Sequence, residues 1–565
     1  MFWRWRKKDT PVAYEEILLD SSNLPSFNRG RMEGRMELPI AIRNIGIVAA
    51  IFVIIAGWFF SKLFVLQIAR GDEYYDISEN NSIDETVIIA ERGVIYDRND
   101  ELLAWNEPDK DGMYSFPVRA YTDRQGLGQL IGYVSYPLKD KKGFYYRTEY
   151  VGRNGVEASY NDILGGTNGE QLIETNAFSE VIGEHVVDLP TAGTEVRLSL
   201  DAKLSEAMYD IIATSTAQSG SRSGAAAIMD VHTGEIVGMT SFPSYDPEVM
   251  ADGDDADLIA QYNTDDRFPF LNKVLAGAYT PGSIVKPFVA YAALTEGIIS
   301  PDKIIVSTGE IVIPNPYNPS NPSIFRDWRV QGKMTMQEAI AYSSNVYFYT
   351  IGGGFGDQKG LGITKMDEYF ARFGFGTTTG VNLANEQSGT VPSPAWKKEL
   401  FDDDWRLGDT YYTAIGQYGW QVTPLQMLVA YGALANGGKL FVPHIEKGKM
   451  GTYRDLDLDP WALGIVREGM HMTTNYPGGT ARSLEKKYVK VAAKSGTAEL
   501  DFAKARLNTW AAGYWPYEDP QYAFIVLMEN APYSNRIGGT KLAGDILDWI
   551  HNNAPEYLGL EAVEE

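Results

Sequence analysis

A long apolar run near the start of the chain constrains its fold more than any other segment. Ile45–Phe60 reads IGIVAAIFVIIAGWFF, and after Ser61 and Lys62 the apolar sequence continues to Leu66. A helix of about 20 such residues crosses a bilayer. The run is too long for a signal peptide, and no cleavage site of small residues follows it. We therefore predict one transmembrane helix at residues 45–66.

Basic residues are concentrated before this run, and an excess of lysine and arginine marks the cytoplasmic side of a span. They are Arg4, Arg6, Lys7, Lys8, Arg29, Arg31, Arg35 and Arg43. We expect a single-pass protein of the cell membrane with a cytoplasmic N-terminus and an extracytoplasmic main body. The tail itself is predicted to be mostly flexible, with a short amphipathic piece at Tyr14–Leu19.

The remaining chain is too long for one ordinary core, since the sequence has 565 residues. The pattern of apolar and polar residues changes near residue 200. It separates a region of short β-type runs from a larger region that is predicted to mix strands and helices. The predicted divisions are a tail (1–44), the transmembrane helix (45–66), a pedestal region (67–200), a main domain (201–555) and a C-terminal tail (556–565).

Composition excludes several kinds of protein. There is no cysteine, which rules out disulfides, thiolate metal sites and a cysteine nucleophile. The five histidines are not spaced as metal ligands, so a histidine-built metal site or a Ser–His–Asp triad is not expected. The net charge of −24 argues against nucleic acid as a partner. We expect no metal and no cofactor.

The pedestal region is predicted to be mainly β. Its runs Thr86–Ala90, Gly93–Tyr96 and Leu102–Trp105 are rich in β-formers, and the polar string Asp97–Glu101 predicts a hairpin turn between the last two. Nothing in this region carries a catalytic pattern.

The main domain begins and ends with β-type runs and has helical segments between them, including one through Lys203–Ala213 and a final helix at Leu542–His551. The runs are Gly224–Met229, Glu235–Met239, Tyr488–Ala493, Thr509–Tyr514 and Tyr522–Met528. Together they predict an α/β fold with one five-stranded, mainly antiparallel sheet and helices packed on it. The helices in the middle of the sequence would form the layer that houses a site.

Ser283 and Lys286 are the strongest candidates for a reactive pair. They lie one helical turn apart at the start of a helix that is apolar nearly all round and that Gly297 can end. A lysine can serve as the base for a serine if burial or a second cation lowers its pKa. Two other Ser-x-x-Lys pairs, Ser300/Lys303 and Ser483/Lys486, do not begin a buried helix.

Two further stretches supply groups that such a pair needs. Lys494, placed after the strand Tyr488–Ala493 at the end of an inner strand, could be the second cation. Ser495 and Thr497 alternate to one side with Gly496 between them, and the two hydroxyls and the ammonium suit a carboxylate ligand. In Ser343-Ser344-Asn345, Ser343 could relay a proton and Asn345 could hold a substrate amide.

Ser-x-x-Lys, Ser-x-Asn and Lys-Ser/Thr-Gly, in this order, resemble the signature of penicillin-binding proteins and serine β-lactamases. The similarity to class B penicillin-binding proteins extends to Arg92–Asn99, Thr233–Ile236 and Thr423–Gln426. Phe325–Trp328 and Ser388–Pro392 are most similar to penicillin-binding protein 2, the elongation type. The middle motif is Ser-Ser-Asn rather than Ser-Asp-Asn, and the last is Lys-Ser-Gly rather than Lys-Thr-Gly.

The resemblance implies a membrane-anchored peptidoglycan D,D-transpeptidase that cross-links stem peptides ending in D-Ala-D-Ala during cell elongation and is a target of β-lactams. It gives the site residues these roles: Ser283 as nucleophile, Lys286 as base, Ser343 with Lys494 as proton relay, the backbone N–H groups of Ser283 and Thr497 as oxyanion hole, Asn345 as amide contact, and Lys494, Ser495, Gly496 and Thr497 as the carboxylate side of the site. It also implies the fold of the penicillin-binding and serine β-lactamase family, with helices on both sides of the sheet and an elongated pedestal.

Three alternatives are weighed against this. A D,D-carboxypeptidase or β-lactamase would use the same residues with water as acceptor, but the span and pedestal favour a transpeptidase. A β-lactam sensor or inactive scaffold is less favoured, because only one span and a short tail are visible. A bifunctional enzyme would need a glycosyltransferase domain before residue 200, where no paired-acid signature occurs. By resemblance, the partners are a RodA-type membrane glycosyltransferase and other proteins of the elongation complex.

Overall fold

The computed structural model describes residues 41–80, 83–110, 112–141, 145–175, 181–315, 318–500, 505–535 and 537–560. The predicted amphipathic piece at Tyr14–Leu19 and nearly all of the predicted tail lie outside these residues. The chain forms two compact units, residues 1–84 with 175–180 and residues 85–174 with 181–565.

The described part of the first unit is largely helical. An α-helix over Ile42–Phe64 continues as one π-helical turn, Val65–Ala69, and is followed by the helix Gly71–Asn80. Ile42–Ala69 is long and apolar enough to cross a membrane, with a mean hydropathy of 2.3 and no part of its apolar window buried. The predicted span at 45–66 falls inside this helix.

The pedestal region contains short strands and helices, and the predicted hairpin is confirmed. Ile95 pairs with Ala104 in antiparallel fashion, and the Asp97 N–H donates to the Glu101 carbonyl at 2.9 Å. One sheet has the order Val196–Arg197, Ile95–Tyr96, Leu102–Glu107, Val118–Tyr121, and another has the order Ile83–Ile88, Gly169–Thr175, Val181–Asp188. The other strands pair as Val134–Ser135 with Val151–Gly152 and Leu138–Lys139 with Tyr145–Arg147, and the helices are Gly128–Ile131, Gly155–Ser159 and Asn161–Leu164.

A five-stranded sheet forms the centre of the main domain, as predicted. Its order is Ile236–Phe242, Ser223–Asp230, Tyr522–Pro532, Arg506–Trp515, Ala492–Glu499. Every pairing in it is antiparallel. The two strands from the beginning of the domain therefore lie beside the three from its end.

The strand that carries Lys494 differs from the prediction in two respects. It runs over Ala492–Glu499 instead of Tyr488–Ala493, so Lys494 lies within the strand and not after it. It is also an edge strand, not an inner one. Its beginning is set by its partner, since Ala492 pairs with Tyr514 and the partner strand ends at Trp515, before Pro516. Pairing with a neighbour, rather than a local apolar pattern, determines where this strand starts.

Helices cover both faces of the sheet, because alternate residues of its strands point to opposite sides. Ala226 and Ile228 belong to one buried cluster, with Leu204 and Leu547 from the first and last long helices of the domain. Ala225, Ala227 and Met229 belong to a second cluster, which holds the helices from the middle of the sequence. The domain's α-helices are Ala202–Ser219, Pro247–Asp252, Ala256–Thr264, Lys286–Thr295, Met336–Tyr342, Asn345–Gly353, Ile363–Arg372, Pro394–Phe401, Leu407–Ala414, Pro424–Asn436, Pro460–Asn475 and Gly539–Asn553.

Smaller elements complete the domain. Three two-stranded pairs join Ile305–Ser307 with Gly332–Met334, Glu310–Ile313 with Ser323–Arg326, and Lys439–Phe441 with Tyr453–Asp455. Short 3₁₀ helices occur at Gly282–Val285, Arg482–Leu484 and Pro555–Leu558. In the last of these, Tyr557 and Leu558 are buried, so the packed chain extends past the predicted boundary at 555.

Candidate active site

The predicted nucleophile Ser283 lies in a tight turn that the segment 416–422 holds in place. Tyr279 and Val422 exchange backbone hydrogen bonds of 2.9 Å before the turn, and the Gly282 N–H donates to the Gly416 carbonyl at 2.9 Å. The 3₁₀ helix Gly282–Val285 then leads directly into the α-helix Lys286–Thr295. Residues three apart eclipse in a 3₁₀ turn, so Ser283 and Lys286 lie on one face.

Glycines allow three backbone segments to meet at this turn. Gly282 has a φ of 58°, and a Cβ added to it would lie 2.7 Å from the Thr497 carbonyl oxygen. A Cβ on Gly416 would lie 2.1 Å from the Gly282 carbonyl oxygen, and one on Gly496 would lie 2.9 Å from the Pro281 carbonyl oxygen. Side chains at these positions would push the strand and the turn apart, so the glycines bring Thr497 next to Ser283.

Lys286 is completely buried on the first turn of its helix. Its ammonium donates to the Ser343 carbonyl at 2.8 Å and to Asn345 Oδ1 at 2.8 Å, and it lies 3.3 Å from Ser343 Oγ. Burial lowers the pKa of this lysine to about 7, although the carboxylate of Asp327 acts in the opposite direction. A substantial fraction of Lys286 is therefore neutral at physiological pH and able to accept a proton.

The Ser343–Asn345 segment forms a sharp junction between two helices. Ser343 ends the helix Met336–Tyr342 with a left-handed backbone, φ 57° and ψ 43°. Ser344 then caps the helix Asn345–Gly353, and its hydroxyl accepts the Tyr347 N–H at 3.3 Å. The left-handed residue turns the chain so that the Ser343 carbonyl and the Asn345 side chain both reach Lys286.

Lys494, Ser495 and Thr497 lie on the edge strand beside the nucleophile turn, but they do not share one face. Lys494 is completely buried, whereas Ser495 is half-buried and Thr497 is exposed, as the alternation of a strand requires. Ser495 and Thr497 therefore share one face of the strand, as expected for residues two apart, and Lys494 lies on the opposite face of the same edge strand. Burial, together with the positive charge of Lys286, holds the pKa of Lys494 well below its usual range.

Thr480 is a contact that the sequence pattern did not indicate. The Ser495 hydroxyl donates to Thr480 Oγ1 at 2.6 Å, and the Thr480 N–H donates to the Ala341 carbonyl at 3.2 Å. Thr480 thus joins the strand of Ser495 to the helix that ends at Ser343. Its sequence context, a Gly-Gly-Thr after a helix, gives no sign of such a role.

Asp327 is a second residue to which the sequence assigned no role. It belongs to the Phe325–Trp328 stretch that carries the family resemblance, which is the only signal that could have drawn attention to it. Its carboxylate accepts the backbone N–H of Asn345 at 2.9 Å and the Ser344 hydroxyl at 2.7 Å. It therefore binds the Ser343–Asn345 junction directly.

The two competing Ser-x-x-Lys pairs are placed in ordinary structural surroundings. Lys486 forms an ion pair with Asp548 at 2.7 Å, while Ser483 donates to the Thr540 carbonyl. Ser300 and Lys303 form an exposed turn closed by a backbone hydrogen bond of 3.0 Å. Among the described residues, no group of three or more His, Cys, Asp or Glu side chains could hold a metal ion.

Comparison with known proteins identifies two parts of the chain that follow the apolar helix Ile42–Ala69. A family model for the penicillin binding protein transpeptidase domain matches residues 224–548, and a model for the penicillin-binding protein dimerisation domain matches residues 113–198. The peptidoglycan D,D-transpeptidase MrdA of Escherichia coli K12 is 28% identical over 635 aligned positions, which cover 91% of this chain and 96% of the relative.

Solved structures agree with these matches. Penicillin-binding protein PBP2 from Helicobacter pylori, solved in complex with MreC, superposes with a TM-score of 0.69 at 28% identity and covers 84% of this chain and 100% of its own. A chain of a peptidoglycan synthase complex, solved to show how polymerization and crosslinking are coordinated, superposes with a TM-score of 0.70 at 25% identity, covering 92% of this chain and 99% of its own. The protein belongs to the penicillin-binding protein transpeptidase family.

Proposed function

We infer that this protein is a peptidoglycan D,D-transpeptidase of the cell-elongation type, which cross-links stem peptides through a serine acyl-enzyme. The position of Lys286 is the main support for the roles assigned to the site residues. This lysine is buried, one 3₁₀ turn from Ser283, and hydrogen-bonded to both Ser343 and Asn345. These groups come from separate parts of the sequence and meet at one point.

In the first step, Ser283 Oγ attacks the carbonyl carbon of the penultimate D-Ala while neutral Lys286 takes the hydroxyl proton. The C–N bond to the terminal D-Ala then breaks. The leaving nitrogen needs a proton, which Ser343 donates with Lys494 as its source. The pKa of Lys286, about 7, places the base where a general base is most effective.

The oxyanion forms between the backbone N–H groups of Ser283 and Thr497. The closeness of the Thr497 carbonyl to Gly282 supports this, because N–H and C=O of one residue point to the same edge of a strand. The Thr497 N–H therefore points toward the nucleophile turn. Two N–H donors of this kind are worth several kcal/mol in acyl transfer.

The terminal carboxylate of the peptide binds against the strand at Ser495, Gly496 and Thr497, with Lys494 beneath, while Asn345 contacts the peptide amide. A bound carboxylate favours the protonated form of Lys494, which burial and the charge of Lys286 disfavour. Substrate binding would thus supply the proton that Ser343 passes to the leaving amine.

An amine from a neighbouring stem peptide then attacks the acyl-enzyme and forms the cross-link, and Ser283 recovers a proton. With water as acceptor, the same residues would give a carboxypeptidase. Product analysis with and without an amine acceptor distinguishes the two reactions. Cross-linked dimer is expected with the acceptor, and free tetrapeptide as the sole product would overturn the proposal.

Mass spectrometry after reaction with a labelled penicillin tests the nucleophile. One adduct is expected, on the peptide that contains Ser283, and none in Ser283→Ala. Ser300→Ala is the matched control, since it removes the serine of a competing motif from an exposed turn and should leave labelling unchanged. An adduct elsewhere, or none on the wild-type protein, would refute the assignment.

We propose that the helix Ile42–Ala69 anchors the protein with its N-terminus in the cytoplasm and, with the pedestal region, contacts a RodA-type glycosyltransferase and other elongation proteins. The apolar exposed helix and the MreC complex of the H. pylori relative support this. Exchanging residues 45–66 for an unrelated span should abolish complementation of a depletion strain while penicillin labelling persists. Full complementation would exclude a specific role for the span.

A further inference from the structure

Asp327 lies in a loop between two short strand pairs, and both its backbone and its carboxylate form hydrogen bonds. The backbone fixes its position, since its N–H donates to the Gly309 carbonyl at 2.8 Å. Its carboxylate accepts six hydrogen bonds, from Ser307 Oγ, Trp328 N, Gln331 Nε2, Ser344 Oγ, Asn345 N and Val346 N, all between 2.7 and 3.1 Å. A surface aspartate that serves only solubility would not collect so many donors.

Three of these donors belong to the junction that faces Lys286. The N–H groups of Asn345 and Val346 are the first two of the helix Asn345–Gly353, where backbone donors are otherwise unpaired and a negative charge is stabilised. The Ser344 hydroxyl, completely buried, is the third. The carboxylate thus binds the junction through Ser344, Asn345 and Val346, whereas Lys286 binds it through the Ser343 carbonyl and the Asn345 side chain.

The junction needs an external support, because Ser343 has a left-handed backbone that costs about 1–2 kcal/mol for a residue other than glycine. If Ser343 relaxed, its carbonyl would turn away from Lys286, and the Asn345 side chain would move with the helix terminus. Among the described residues, the Asn345 side-chain amide makes one other hydrogen bond, a long one of 3.5 Å to the Arg326 carbonyl.

Resting on the function proposed above, we propose that Asp327 is a positioning residue of the transpeptidase: its carboxylate holds the Ser343–Asn345 junction in the form that supplies Lys286 with its hydrogen-bond acceptors. Asp327 does not touch the reacting atoms and acts through Asn345 and Ser343. Its charge has a second, separable effect on the base.

That second effect is electrostatic. The negative charge of Asp327 raises the pKa of Lys286, against the larger effect of burial. The titratable group Lys494 also faces the base from the edge strand, and its charged form is disfavoured by burial and by the charge of Lys286. Farther along that strand, Glu499 acts with Asp327 on Tyr349. Removing the Asp327 charge leaves the effect of burial unopposed, so the pKa of Lys286 must fall.

The test measures the second-order rate of acylation by a fluorescent penicillin between pH 5.5 and 9.5, with the full-length protein in detergent and its unfolding temperature recorded alongside. Asp327→Asn keeps the shape but replaces one acceptor oxygen with a donor. We expect the acylation rate to fall by about tenfold or more. We also expect the acid limb of the pH–rate profile, where the rate rises with pH, to move to lower pH. Ser344→Ala removes one hydroxyl donor and keeps the charge, so its acylation should fall with an unshifted limb.

Glu310→Gln is the matched control, because this partly exposed carboxylate also lies on a strand of that region but contacts Arg326 instead of the junction. It should retain the wild-type acylation rate and the wild-type position of the acid limb in the pH–rate profile. Acylation within twofold of wild type in Asp327→Asn, or an unshifted limb in that variant, would overturn the inference; if Asp327→Asn does not fold, a wild-type rate in Ser344→Ala would do so. Failure of the wild-type protein to be acylated at Ser283 would instead refute the proposed function.

Discussion

Lys286 and Lys494 are both completely buried, and the positive charge of Lys286 lowers the pKa of Lys494. One lysine comes from the helix after the nucleophile turn and the other from the edge strand of the sheet. Because the charge of Lys286 disfavours the charged form of Lys494, the two lysines resist being protonated together.

Acylation should therefore depend on pH through Lys286. Only the neutral amine accepts the Ser283 proton, and the pKa of Lys286 is about 7. The acylation rate should rise with pH through about 7 and fall by about tenfold for each unit below it. A series of labelling rates with a fluorescent penicillin gives this curve.

Lys286→Gln is the control for that curve, since it keeps hydrogen bonding and removes the titrating amine. It should reduce acylation by about 10²-fold or more at every pH. A variant that retained the wild-type rise through neutral pH would show that another group is the base.

Gly416→Ala should damage both folding and acylation. The new Cβ would lie 2.1 Å from the Gly282 carbonyl oxygen, and the residue has a φ of 75° that costs a side chain about 1–2 kcal/mol. The nucleophile turn must shift, so we expect a lower unfolding temperature and a slower reaction with penicillin.

Gly253→Ala separates the two causes, because Gly253 has a similar φ of 71° with no atom within 4 Å of an added Cβ. It should be destabilised by the backbone term alone and react at the wild-type rate. Equal losses of acylation in both variants would contradict the role given to close packing at Gly282.

Thr480→Val should weaken ligand binding at the carboxylate side of the site, where Ser495 lies. Ser495 loses the acceptor that holds its hydroxyl at 2.6 Å, and one buried hydrogen bond contributes about 1 kcal/mol. We expect acylation by penicillin to slow about fivefold at low ligand concentration, measured as the second-order rate.

Thr480→Ser keeps the hydroxyl and is the conservative comparison. It should recover most of the rate that Thr480→Val loses. If both variants react alike, the methyl group of Thr480 and not its hydrogen bond would be what matters.

The sheet and its antiparallel hairpin were predictable because apolar residues in Ser223–Asp230 and Ile236–Phe242 fill strands covered on both faces. The strand Ala492–Glu499 was misplaced because Lys494, Ser495 and Gly496 have no β preference of their own. Its existence depends on pairing with Arg506–Trp515, which is distant in sequence.

Ser283 and Lys286 could be singled out in the sequence because they lie one turn apart at the start of an apolar helix, and the candidates of the other two motifs were identified by the order of the motifs and the family resemblance. Asp327 and Thr480 could not be found in that way. Their function comes from partners far along the chain, such as Ser307 and Ser344 for Asp327 and Ser495 for Thr480. Only the folded loops bring these groups together, and such contacts leave no periodic pattern in the local sequence.

A buried ion cluster in the pedestal region gives the last prediction. Glu157 accepts Arg92 Nε at 2.6 Å and Arg119 Nε at 2.8 Å, with all three side chains fully buried. One carboxylate thus compensates two guanidinium groups.

Glu157→Gln leaves both cations without a counter-charge in the described surroundings, and removing one member of a buried pair costs about 3–5 kcal/mol. The unfolding temperature of the detergent-solubilised protein should fall clearly. Asp545→Asn breaks the exposed pair with Lys541 and should change stability by less than about 1 kcal/mol. Below the unfolding transition, Glu157→Gln should still be acylated at nearly the wild-type rate, because its contacts do not include Ser283 or Lys286. An unfolding temperature equal to that of the wild type would show that the cluster does not stabilise the pedestal region.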